Sequence, residues 1–153
     1  MFRAPARRRL PARSRTIGPM RTPMPDQVRR FLADQRYAIV ATVNPDGSPH
    51  QAVTWYLVEG DEVVINSAEG RRWPANLRRD PRVSIAVEDG ERNVVLRGTV
   101  ELVDDEQRAQ ADIATMARLN DEPDAAEARI RDQFRRQRRV SFRLRPAEIH
   151  VEL

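Results

Sequence analysis

Few side chains in this sequence are placed to do chemistry. The two histidines, His50 and His150, have no neighbouring partners that would build a triad or a metal site, so no metal ligands are expected. Each alternates along a strand and reads more simply as a half-exposed strand residue. There is no Cys, which excludes disulfides, thiolate catalysis and Cys-ligated metal. All 27 basic residues are Arg, which excludes a Schiff-base lysine and a Walker-type phosphate loop. No Ser lies in a nucleophile-elbow context. One local cluster stands out: Asn66-Ser67-Ala68-Glu69-Gly70-Arg71-Arg72-Trp73. It passes from a strand to a helix through a glycine. Backbone N–H groups at the helix start would point outward beside two guanidinium groups, which suits a phosphate or carboxylate. Asn66 and Ser67 could add neutral hydrogen bonds. Trp73 either stacks on a flat ring or anchors the helix to the body. Spacing alone leaves anion binding and ordinary capping with surface Arg both open.

The elements that must position this cluster follow from periodicity and turns. Asp26 is placed to cap a helix through Gln35, with Val28, Phe31 and Leu32 on one face. Tyr37–Val43 reads as an apolar strand, and Asn44-Pro45-Asp46-Gly47 as a turn. Ser48–Val58 alternates as a second strand and Glu62–Ser67 gives a third, making a meander. A short helix starts near Pro74 and stops at Asp80-Pro81. Arg82–Glu88 and Asn93–Val103 follow as strands, with a bulge expected at Gly98. Asp104 or Asp105 caps a helix to about Leu119, and Ala125–Arg138 reads as a second helix with a solvated Arg-rich face. Val140–Leu144 and Ala147–Leu153 form one last strand or two halves bent at Pro146. Six or so strands joined mainly by hairpins, with few helices, predict a small closed antiparallel barrel, mostly β with peripheral α.

The 153 residues suit one domain, and 40% of them are hydrophobic. No apolar run approaches the ~20 residues of a membrane span. The net charge of +4 would suggest nucleic acid, but it is unevenly spread. Residues 1–22 hold seven Arg and no acid; the other 20 Arg face 23 Asp and Glu, so residues 23–153 carry −3. The expected organisation is a disordered Arg/Pro-rich tail over residues 1–24 and a folded domain over 25–153. No apolar stretch follows Arg7-Arg8-Arg9, so export is not indicated and a cytoplasmic location is expected. No membrane or nucleic-acid partner is expected.

Three segments together resemble a family. They are Val43-Asn-Pro-Asp-Gly-Ser-Pro-His-Gln51, Val63-Val-Ile-Asn-Ser67, and Gly70-Arg-Arg-Trp-Pro-Ala-Asn-Leu-Arg-Arg-Asp-Pro-Arg-Val-Ser84. In this order they resemble the pyridoxamine-phosphate-oxidase-like flavin/deazaflavin oxidoreductases, and most nearly the branch that uses coenzyme F420. The resemblance covers about residues 26–153. It implies a split barrel, and a homodimer with cofactor at the interface. By position it implies that Gln51 and Val53 face the cofactor, and that Asn66 and Ser67 touch its ring edge or chain. Arg71 and Arg72, with Gly70 and Trp73 in the same loop, would hold its phosphate, and Asn76 would support them. FMN-binding oxidases of this kind carry Arg and Lys where this chain has Gln51 and Tyr56, and many members carry Lys where it has Trp73. These departures count against FMN, and the one at Trp73, where numerous deazaflavin users also carry Lys, leaves F420 short of one usual contact.

The function implied is an F420-dependent reductase that transfers a hydride to a small unsaturated or conjugated substrate. The cofactor would carry the chemistry, and the protein would supply orientation and a dry pocket. The proton could come from solvent, Tyr56 or His50, so no catalytic residue is assigned. The alternatives are an FMN-dependent oxidase or reductase of the same fold, and a flavin- or deazaflavin-binding protein without turnover.

Overall fold

The computed structural model describes residues 22–34 and 37–153. Helix α1 (Asp26–Asp34) leads into β1 (Ala38–Val43), β2 (Pro49–Thr54), β3 (Tyr56–Glu59) and β4 (Glu62–Ala68). Helix α2 (Arg72–Arg79) precedes β5 (Arg82–Glu88) and the long β6 (Asn93–Val103). Two helices, α3 (Glu106–Asn120) and α4 (Pro123–Asp132), then pack together before β7 (Arg139–Leu144) and β8 (Glu148–Glu152). Of the expected tail, residues 1–21 lie outside the described residues. Thr22–Met24 belong to the fold instead. The Thr22 amide donates to the Pro146 carbonyl at 3.0 Å, and Met24 is buried in the core.

All strand pairs are antiparallel, in the order β2-β1-β5-β6-β7-β4-β3, with β8 also on β6. The result is the split β-barrel of the expected class, with eight strands rather than six or so. The expected second strand, Ser48–Val58, is not one strand. It breaks at Trp55, and its halves β2 and β3 sit at opposite ends of the ladder. Trp55 is thus where the chain crosses the split, and the ladder stays open between the two ends.

The bulge expected at Gly98 lies on the strand opposite it. In β6, two residues separate Arg97 from Val100, whereas three separate their partners Leu144 and Glu148. The extra residue falls at the Pro146 bend between β7 and β8. Gly98 keeps unbroken register with Val83 of β5. A Cβ there would lie 3.0 Å from Leu144 Cδ1 and 3.2 Å from the Ala147 amide nitrogen. Glycine is therefore needed because the bend crowds against it, not because β6 bulges.

The barrel core gathers Val40, Ile65, Ile85, Leu96, Phe142 and Leu144 with Phe31 and Leu32 of α1. A second cluster joins Val64 to Ile113, Met116, Ile130 and Phe134, which fixes α3 and α4 against the outside of β4. Asp105 caps α3 by accepting from the Arg108 amide at 3.0 Å. The helix expected to reach Arg138 ends at Asp132, and a 3-10 turn at Phe134–Arg136 turns the chain into β7.

Candidate functional site

The loop from β4 to α2 is shaped by Gly70, whose φ of +87° suits glycine. Arg71 stands at the N-cap with no side-chain cap bond, and both Arg71 and Arg72 are exposed. Neither forms an ion pair with a described residue. The next residues turn inward. Trp73 is 4% exposed and packs on Phe142 with ring centroids 5.9 Å apart. Of its two sequence readings, the structure supports the anchor. Asn76 is buried. Its amide donates to Thr42 Oγ1 and Asn44 Oδ1, each at 3.1 Å, and its oxygen accepts from Arg79 at 3.2 Å. Asn76 therefore ties α2 to β1 and to the turn at Gly47.

A cleft of about 260 Å³ brings Val53, Asn66 and Arg71 together from three elements. Val53 is 68% exposed on β2. Gln51, two residues along the same strand face, is exposed as well, but it does not line this cleft. Ser67 alternates away from Asn66 and is buried, its hydroxyl donating to the Ala68 carbonyl at 3.0 Å. Gly70, Arg72, Trp73 and Asn76 are not among the lining residues either. Three larger clefts, near Thr22, near Tyr56 and near His150, contain none of the expected binding residues, so size does not select the site.

The cleft holds groups that the sequence did not single out. Trp55 and Phe134 form one wall, edge to face at 6.4 Å and 89°. Arg129 lies 5.3 Å over Trp55, and Arg139 lies 5.0 Å over Phe134. Arg139 is 6% exposed. Its Nε and Nη2 donate to Asn66 Oδ1 at 2.9 and 2.7 Å, and its Nη1 donates to Gln137 Oε1 at 2.8 Å. The Asn66 amide donates in turn to the Ala109 carbonyl and to Ser141 Oγ, at 2.8 and 2.9 Å. Asn66 thus orients Arg139, and both N–H bonds of its side-chain amide are engaged within the fold. Burial and the neighbouring Arg71 lower the Arg139 pKa to about 10. Arg139 was missed because it follows Arg135, Arg136 and Arg138, all exposed; only the β4–β7 register turns it inward.

The two candidate proton donors lie elsewhere. The Tyr56 hydroxyl donates to the Leu32 carbonyl at 2.6 Å, and burial raises its pKa. His50 does not line the cleft. Among the described residues, no three of His, Asp and Glu gather as metal ligands.

A family model described as pyridoxamine 5'-phosphate oxidase matches residues 24–152. The chain belongs to the pyridoxamine 5'-phosphate oxidase family. Among solved structures, a conserved hypothetical protein, Rv2991 from Mycobacterium tuberculosis, aligns with a TM-score of 0.71 at 24% identity over 86% of each chain. A protein described as an F420 reductase aligns with a TM-score of 0.65 at 25% identity, covering 83% of this chain and 98% of its own. HutZ, a heme storage protein from Vibrio cholerae, aligns with a TM-score of 0.62 at 19% identity, over 82% of this chain and 92% of its own. The pyridoxamine 5'-phosphate oxidase fold thus also serves proteins described by other ligands, and the choice among them falls to the site. Tyr56, one of the two second-strand positions where an FMN oxidase is expected to carry a cation, is buried in the barrel core, as is Trp73. Among the described residues, no helix is long and apolar enough to cross a membrane.

Proposed function

We propose that this protein is a deazaflavin-dependent oxidoreductase that uses coenzyme F420 to pass a hydride to a small unsaturated or conjugated substrate. The observation that carries this reading is the cleft where Val53, Asn66 and Arg71 meet an aromatic wall and the guanidinium of Arg139, which has no ion pair among the described residues. An apolar surface beside Arg suits a flat ring with an anionic chain. The likeness to an F420 reductase supports the deazaflavin. The core placement of Tyr56 argues against FMN, because that position offers no cation to its phosphate.

A cleft of about 260 Å³ is small beside the ~300–1,000 Å³ of ordinary ligand sites, so one chain builds only part of the pocket. The missing wall is assigned to a second copy. Val53, Ile39, Ala86 and Val95 pair in one row across β2, β1, β5 and β6. Val53 and Ile39 are exposed in that row, and Tyr37 stands exposed just before β1. This apolar face runs into the cleft through Val53 and Tyr37 and suits a homodimer with the cofactor at its interface.

When bound, a reduced deazaflavin supplies the hydride. The chain's own residues hold and orient the cofactor. Arg71 and Arg72 draw its anionic chain to the start of α2, and Val53 lies against the ring. The partner face excludes water. With Tyr56 and His50 outside the cleft, the proton is assigned to solvent or to no protein group. The test is oxidation of pre-reduced F420 by a panel of enones and quinones. Faster oxidation with protein than in free solution, for any member, supports an enzyme. No acceleration across the panel, with cofactor bound, would make the protein a carrier.

A further inference from the structure

We infer that Arg139 is the floor of an oxyanion seat at the inner end of the cleft, taking a phosphate or carboxylate group of the bound molecule. This rests on the cleft being a ligand site, but not on which ring occupies it.

The reasoning starts from charge. A guanidinium at 6% exposure is costly unless an opposite charge compensates it. Arg139 forms no ion pair among the described residues. Residues 1–21, 35 and 36 contain neither Asp nor Glu, so they hold no compensating side chain either. Arg143, four residues along the same strand, shows the contrast: it pairs with both Glu59 and Glu62 at 2.9 Å. The acid that Arg139 reaches through hydrogen bonds is Asp112, by way of Asn66 and Ser141. Asp112 is already paired with Arg108 at 2.9 Å. Both partners that Arg139 does have, Asn66 and Gln137, offer neutral carbonyl oxygens.

The donors tell the same story. A guanidinium has five N–H bonds, and the contacts to Asn66 and Gln137 account for three of them. Two remain, on the residue that lines the cleft beside Arg71. An oxyanion there would accept the free N–H bonds, neutralise the buried charge and relieve the repulsion between the two Arg.

The probe is inorganic phosphate at low millimolar concentration, with succinate in a parallel arm and ionic strength held constant with sodium chloride. Melting midpoints of the full chain are read near pH 7. The wild type should melt higher with phosphate, with succinate, or with both. A response to one alone assigns the group as phosphate or carboxylate. Arg139→Met removes the unpaired charge but also strips the buried Asn66 Oδ1 of its two donors, so its anion response, not its anion-free midpoint, is what is compared with the wild type. Its apparent anion affinity should fall about tenfold or more. Gln137→Glu places a carboxylate on Arg139 from within. It should raise the anion-free midpoint and blunt the anion response, and it decides the matter alone if Arg139→Met does not fold. A wild type indifferent to both anions would overturn the inference, as would variants that keep the full response. Phosphate can respond even if neither F420 nor FMN binds, so the seat and the cofactor reading fail separately.

Discussion

Trp73 carries two opposite readings in the sequence, ring platform and core anchor, and its contact with Phe142 decides between them. Trp73→Ala should therefore lower unfolding stability by about 3–5 kcal/mol in a denaturant titration, as for a buried large aromatic. Unchanged stability with loss of cofactor binding alone would restore the platform reading. The neighbouring Arg71 and Arg72 were legible because a glycine, a helix start and two cations fall within a few consecutive residues. Asn66 was legible as a polar strand end, but its partner Arg139 lies 73 residues away, and no spacing rule joins them. Side-chain pairing across that distance depends on Asn66 lying opposite Ser141 and Ala68 opposite Arg139. A one-residue slip would send Arg139 to the other face of the strand. Ser67 shows the same limit. It shares a motif with Asn66, but strand alternation gives the two residues opposite faces.

At the scale of elements, turns and caps read well because their signals are local. Gly47 closes the Asn44 turn with its amide on the Asn44 carbonyl at 2.9 Å, as Asn-Pro-Asp-Gly implies. Helices α1, α2 and α3 lie close to their expected ranges for the same reason. The break of the second strand at Trp55 was not legible, because alternation runs through it from Ser48 to Val58. What splits it is the choice of neighbour, β1 before the break and β4 after it. Gly98 illustrates a correct signal with a misplaced cause. It marks a bulge, but the extra residue is on the β7–β8 side, and Gly98 is the clearance opposite. Gly98→Ala should cost about 1–3 kcal/mol, because backbone atoms of Arg145 and Ala147 as well as Leu144 would meet the new methyl group. If a melting curve shows the substitution to be neutral or stabilising, the close approach is not what requires glycine.

For the whole molecule, an antiparallel barrel followed from strand count and hairpin turns and its split form from the family resemblance, while the strand order followed from neither, because it depends on pairings far apart in sequence. That order carries the functional reading. It sets β2 beside β1 and β5, which builds the apolar row through Val53, and it places β4, with Asn66 and the Arg71 loop behind it, at the other side of the split. In the proposed homodimer, a second copy would close a pocket divided this way. The measurement that bears most directly on the central claim is sedimentation velocity of the purified chain with F420 or FMN, followed at each cofactor's own absorbance. The account predicts that F420 travels with a particle of twice the 17.6 kDa chain mass, that FMN does not, and that Arg72→Ala releases F420. Co-sedimentation of FMN with F420 left free would contradict it.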